Sequence, residues 1–151
     1  MQDQSINKIK ELIKNLLTIM GFKSAAVEPT IDEEGIVFGI KTDEANLLIG
    51  QGGNHLFAFQ QIVRLLVLKD QVDSIKFIID VNDYRKHRIK FLKEMVLNYA
   101  KKSIMENRSI ILDPMNAYER RLVHLILGDI SGISTESTGE GKERRVVIRP
   151  I

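Results

Sequence analysis

A chain of 151 residues, 44% hydrophobic and 28% charged, holds enough apolar material for one core or two small ones and is not compositionally disordered. It lacks cysteine, which excludes disulfides and thiolate metal sites; no apolar run approaches the ~18 residues of a membrane span, no signal-peptide order opens the chain, and the expected location is the cytoplasm. The net charge of +2 is uneven, with 8 Lys and Arg against 11 Asp and Glu through Asn82 and 14 against 9 from Asp83 onward, so the second half favours a polyanion such as nucleic acid or presents a solvated Lys-rich surface.

In chain order, Ile6, Ile9, Leu12, Ile13, Leu16, Leu17 and Met20 recur at helical spacing, and Gly21 follows as a C-terminal stop. Residues 25–31 and the alternating Ile36, Phe38 and Ile40 flank the turn Asp32-Glu33-Glu34-Gly35 and predict a β-hairpin. A short helix over 43–49 runs into Gly50-Gln51-Gly52-Gly53, and a longer one over 54–68 presents Leu56, Phe59, Ile62, Val63 and Leu66 on one face. Ile75, Phe77, Ile79 and Val81 alternate as a third strand.

Asn82-Asp83 reads as an N-cap and as the boundary between two units, 1–82 and 83–151, expected to abut. The helix beyond it carries the stripe Ile89, Leu92, Val96, Tyr99 and Ser103-Ile104. Tyr84, Arg85 and Arg88 in its first turn are either additional phosphate contacts or a solvated surface. A brief strand over 109–112 ends at Asp113-Pro114; Asn116 and Glu119 form a capping-box-like start to a helix that Gly128 ends; strands over 133–138 and 144–148 close the chain.

The fold class is therefore α+β, in two small units ordered α-β-β-α-α-β and α-β-α-β-β.

Two motifs carry chemistry. Gly50, Gln51, Gly52 and Gly53 remove Cβ atoms where a ligand backbone could approach, and the helix opening at Asn54 offers unpaired amides to a phosphate. The loop lacks the Gly-Lys-Ser/Thr of a nucleotide-triphosphate loop, and His55 stands where a dinucleotide fingerprint needs its third glycine. On its own such a loop is more often a tight helix–helix turn.

In the second motif, counting about 100° per residue from Tyr118, Leu122, Leu125 and Ile126 cluster as the apolar side. Arg120 and His124 then fall at about 200° and 240° on the solvent side, with Arg121 at about 300°. A guanidinium pairs with phosphate bidentately, and an imidazole donates to phosphate or stacks on a base.

The setting of the glycine loop, with Leu48-Ile49-Gly50-Gln51-Gly52-Gly53, resembles a type II KH domain over residues 23–82. Residues 114–124, followed by Thr135-Glu136-Ser137 and Arg144-Arg145-Val146-Val147-Ile148, resemble the Arg-xxx-His (R-3-H) domain. Together they resemble the Jag family of bacterial cytoplasmic RNA-binding proteins, without that family's usual additional N-terminal domain. The resemblance implies a groove for about four unpaired nucleotides beside the loop and Arg120 with His124 as a second contact. Gln51 and Gly52 replace the Lys or Arg often found between the glycines, which weakens the electrostatic part of the loop. On charge alone, Arg121, Arg144 and Arg145 join the expected interface.

Catalysis has little support in the sequence, and a nuclease or other enzyme is a distant third reading: the three histidines lie in different elements, and no metalloprotease or nucleophile-elbow pattern occurs. No cofactor, metal or membrane insertion is expected. The expected function is non-enzymatic binding of single-stranded RNA, or single-stranded DNA, with replacement of Gly52 and Gly53 by Asp repelling phosphate in an intact fold. The alternative is an adaptor whose KH-like surface meets a protein, such as a small KH-domain protein or a ribosome- or membrane-insertase-associated assembly.

Overall fold

The computed structural model describes residues 1–33, 35–70, 72 and 75–151; Glu34 of the hairpin turn lies outside the described residues. The chain divides into two compact units, Met1–Arg85 and Lys86–Ile151.

The first unit runs α1 (Gln2–Ile19), β1 (Ala26–Asp32), β2 (Gly35–Lys41), α2 (Ala45–Ile49), a single 3-10 turn over Gln51–Gly53, α3 (Asn54–Lys69) and β3 (Phe77–Val81). In α1, Ile6, Ile9, Ile13 and Leu17 form the buried stripe that the 3.6-residue period dictates. Gly21 ends the helix at φ 94°, and the Phe22 amide returns to the Leu17 carbonyl at 2.8 Å, satisfying an orphan carbonyl of the last turn.

Strands β1 and β2 pair antiparallel from Ala26↔Lys41 to Asp32↔Gly35, as a hairpin must. Strand β2 also pairs with β3, but in parallel, from Ile36↔Phe77 to Ile40↔Val81. A parallel pair cannot be closed by a tight turn and needs a crossover. Here α2, the glycine turn and α3 are that crossover. The core gathers α1, the central strand and α3, with Phe38 and Phe77 in an edge-to-face pair 5.7 Å between centroids.

Two sequence expectations change in this unit. On α3 the buried residues are Leu56, Phe59, Val63 and Val67, and Ile62 is half exposed. The helix carries apolar residues on two faces, so periodicity alone could not choose between them. Asn82 does not cap a helix. Its side-chain amide donates to the Thr42 carbonyl at 2.8 Å, and its Oδ1 accepts from the Thr42 amide at 3.1 Å. The cap of the next helix comes from Asp80, whose Oδ1 accepts from the Arg85 amide at 3.2 Å.

Helix α4 (Tyr84–Glu106) opens with the last two residues of the first unit. The second unit continues with β4 (Ile110–Ile111), α5 (Ala117–Gly128), β5 (Ile133–Thr138) and β6 (Arg145–Pro150). The sheet order is β4-β6-β5, antiparallel throughout. Leu92, Val96 and Ala100 of α4 pack with Val123 and Leu127 of α5 and with Ile133, Val146 and Ile148 of the sheet.

Within α4, Tyr99 and Ile104 are partly exposed; the buried positions beyond Val96 are Ala100 and Ser103. Ser103 is a buried hydroxyl that donates to the Arg108 carbonyl at 2.7 Å, closing the helix end where Asn107 turns at φ 46°.

Candidate nucleic-acid interface

The glycine loop is built by three unequal glycines. Gly50 has φ 72° and ψ 178°, a combination open essentially to glycine alone. A Cβ there would overlap the ring of His55, which lies across it and donates from Nδ1 to the Leu47 carbonyl at 2.7 Å. His55 thus staples the end of α2 to the start of α3, a role its sequence position did not disclose.

Gly53 is left-handed at φ 81°, and a Cβ would press on the Tyr84 ring at 3.1 Å. Gly52, at φ 62°, would carry a Cβ into open space. Replacing Gly53 by Asp is therefore not neutral to the fold, and the expectation that both glycines can take Asp in an intact fold is corrected at Gly53.

The amides in this loop divide in the same way. Gly50 N–H donates to the Asn46 carbonyl at 3.0 Å and Gly53 N–H to the Gly50 carbonyl at 3.3 Å, while Asn54 N–H returns to Gln51. The amides of Gln51 and Gly52 have no acceptor among the described residues. Both residues are exposed, as is Asn54 at the first position of α3.

On α5 the geometry overturns the solvent-facing placement of Arg120 and His124. The buried residues are Glu119, Val123 and Leu127, which centre the inward face at about 140° on the same wheel, and Leu125 is exposed. Arg120 and His124 lie on the flank of that face, half-buried, and only Arg121 points fully outward.

His124 Nδ1 meets Thr135 Oγ1 at 2.7 Å, and Nε2 meets Ser137 Oγ at 2.9 Å. Both hydroxyls stand on the helix-facing side of β5, two residues apart, as the strand period requires. In the sequence, the period of two in the Thr-x-Ser stretch of a strand that follows the helix is the signal that these two hydroxyls share one face.

Arg120 donates from Nη1 to the Met115 carbonyl at 2.6 Å, and the Met115 amide donates to the Arg144 carbonyl at 3.2 Å. The backbone at the start of β6 is thereby tied to the guanidinium of α5. The Arg144 and Arg145 side chains stay within their own hairpin, one on the Gly139 carbonyl at 2.8 Å, the other on the Glu143 carbonyl at 3.0 Å and carboxylate at 2.9 Å. Arg121 makes no ion pair or side-chain hydrogen bond among the described residues.

Asn116 caps α5 by accepting from the Glu119 amide at 2.9 Å. The Glu119 carboxylate does not complete a capping box. It is buried and receives Arg88 Nε at 2.7 Å and Nη2 at 3.4 Å. Arg88 is therefore occupied within the unit, and Tyr84 packs on Gly53; neither is simply a solvated first turn.

Burial raises the Asp80 carboxyl above the ordinary 3.8, against the lowering effect of the Arg85 and Val81 amides and the Arg85 charge.

The R-3-H domain family matches residues 90–150, the span that contains this helix and both flanking strands. A curated relative from Clostridium symbiosum, named RNA-binding protein KhpB, is 32% identical over 148 residues, covering 98% of this chain and 65% of its own length. The chain is similar to this Jag-family protein along nearly its whole length. Relatives of the same name from Lactiplantibacillus plantarum and Bacillus subtilis are 31% and 28% identical, across 71% and 96% of this chain and 33% and 72% of their own lengths. The chain thus spans from one third to under three quarters of these Jag relatives. Its first unit has the α-β-β-α-α-β order of the type II KH arrangement, and no helix among the described residues is long and apolar enough to cross a membrane.

Proposed function

We propose that this chain is a non-enzymatic binder of single-stranded RNA with a contact surface on each unit. The observation that carries the reading is the pair of unspent amides at Gln51 and Gly52, exposed on a loop whose shape is fixed on both sides by His55 over Gly50 and Tyr84 against Gly53. Two N–H donors held in place and free of side-chain obstruction at Gly52 suit a phosphodiester oxygen and cost no ordering on binding. The loop supplies no cation, so its own affinity is low. The second surface supplies charge through Arg121 and a partly committed Arg120, beside His124.

Two weak sites on one chain raise affinity roughly 10²–10⁴-fold over either alone when one strand engages both. The name of the curated relatives supports RNA as the ligand, and single-stranded DNA is the natural competitor in the assay.

The test is fluorescence polarisation with a labelled, unstructured single-stranded RNA. Gln51→Asp with Gly52→Asp places charge at the loop without disturbing Gly53, and Arg120→Ala with His124→Ala withdraws one guanidinium and the ring that orders Thr135 and Ser137 from the second surface. Each pair is expected to weaken binding by tenfold or more with the thermal transition retained. Unchanged affinity in both folded variants contradicts the proposal.

A second reading, that the first unit docks a protein such as a small KH-domain protein, is favoured by one observation. The outer face of α3 presents Phe57, Leu65 and Leu68, each more than 60% exposed. Binding of RNA only in the presence of such a partner, or partner affinity insensitive to salt, is the outcome that selects it.

A further inference from the structure

The imidazole of His124 has both ring nitrogens occupied, by Thr135 Oγ1 at 2.7 Å and Ser137 Oγ at 2.9 Å. A ring in this state has no nitrogen left for a ligand. The consequence follows from counting protons. In the neutral imidazole one nitrogen carries hydrogen and the other is an acceptor. The hydroxyl opposite the N–H accepts from it and keeps its own O–H free. The hydroxyl opposite the bare nitrogen donates its O–H and has none to spare. Each tautomer therefore leaves one hydroxyl with a free donor: Thr135 when Nδ1 carries the proton, Ser137 when Nε2 does.

We propose that the free hydroxyl of this pair donates to a phosphodiester oxygen of the bound strand, and that His124 acts as the positioning residue that assigns which hydroxyl donates. This rests on the reading of the second unit as an RNA-binding surface and names the atoms that perform it. The setting fits an anion. Both hydroxyls are part-exposed on β5, which is an edge strand of the sheet. Arg121, one helical turn before His124 on the outward side of α5, holds a guanidinium with no partner among the described residues. A phosphate oxygen only accepts, so it meets the free O–H and selects the tautomer that provides it.

The proposal makes a pattern that simple contact loss does not. Thr135→Val removes one hydroxyl, but Ser137 can then accept from Nε2–H and donate outward, so one donor survives. Ser137→Ala leaves Thr135 in the same position. Each single variant is expected to stay within about twofold of the wild-type RNA affinity, whereas the double variant loses about tenfold, the scale of one hydrogen bond to a charged acceptor. Thr135→Ser with Ser137→Thr keeps both hydroxyls and is expected to restore wild-type affinity, which controls for packing.

The spectroscopic readout uses the unaltered protein. Nitrogen shifts of the His124 ring report the tautomer ratio, and saturating RNA is expected to drive it to one form.

Additive losses in the two single variants, a double variant that binds as well as wild type, or a tautomer ratio unmoved by saturating RNA overturns the proposal. If Arg120→Ala with His124→Ala weakens binding while the hydroxyl variants do not, the RNA reading stands and only the hydroxyl assignment falls. If neither set matters, the RNA reading of this unit falls, and the assignment with it.

Discussion

Replacing Gly50, Gly52 and Gly53 by alanine, one at a time, separates the two jobs a glycine loop can do, holding a shape and admitting a ligand. At Gly50 the backbone sits where a Cβ is costly by about 1–3 kcal/mol. The new methyl also displaces the His55 ring, whose hydrogen bond to Leu47, being exposed, contributes about 0.5–1 kcal/mol. Gly50→Ala is therefore expected to destabilise the first unit by about 2–4 kcal/mol. At Gly52 the left-handed backbone alone costs about 1 kcal/mol, with nothing within 4 Å to clash. Gly53→Ala falls between, because the Tyr84 ring must yield by a few tenths of an ångström.

Urea titration followed by amide exchange at Phe38 and Val63, both fully buried in the first unit's core, reads these losses without interference from the second unit. Adding His55→Ala to Gly50→Ala removes the overlap but restores neither the backbone geometry nor the hydrogen bond to Leu47, so the double variant is expected to stay about as unstable as Gly50→Ala. A Gly50→Ala protein within ~0.5 kcal/mol of wild type, or one fully rescued by His55→Ala, refutes the reasoning about how the loop is held.

Other consequences can be checked in the same preparations. Arg88→Met leaves the buried Glu119 carboxylate unpaired and is expected to cost the second unit about 2–4 kcal/mol, reduced from a fully buried pair by the partial exposure of Arg88, whereas Arg88→Met with Glu119→Leu should recover most of it; a double variant as unstable as the single counts against that account. Asp80 is raised above 3.8 in the fold, so its contribution to stability is present below that value and is lost as pH rises through the higher folded one. Asp80→Asn keeps an oxygen for the Arg85 amide and is expected to gain on wild type over that rise, in pH-dependent urea unfolding; a gain on acidification instead reverses the sign and refutes it. Asn82→Ala loses both bonds to Thr42 and keeps φ 47° without the side chain that tolerates it, so it should cost more than Asn82→Gly, measured by the same exchange.

Legibility in the sequence followed the range of the physics involved. The hairpin of β1 and β2 and strand β5 were readable because alternation is a local signal, and β5 falls on the expected residues, Ile133–Thr138. The glycine loop and the α5 motif were readable as residue types at fixed spacing. The orientation of α5 was not, because its inward face includes Glu119, a charged residue whose partner Arg88 lies 31 positions earlier. The same holds for Asn82, which looks like a cap until Thr42, 40 residues away, is brought against it. Helix α3 defeated the wheel for another reason: with apolar residues on two faces, only the position of the sheet decides which is buried.

The most direct test of the central claim is the affinity of the wild-type chain for labelled single-stranded RNA across a salt series. If Arg120 and Arg121 meet phosphates, with the uncharged Gln51 and Gly52 amides adding contacts that neutralise no charge, the logarithm of affinity falls with the logarithm of salt concentration at a slope of about −0.7 per neutralised phosphate, so these two cations give about −1.4. Binding that is absent at low salt, or present with a slope near zero, contradicts the claim that this chain grips RNA by its backbone.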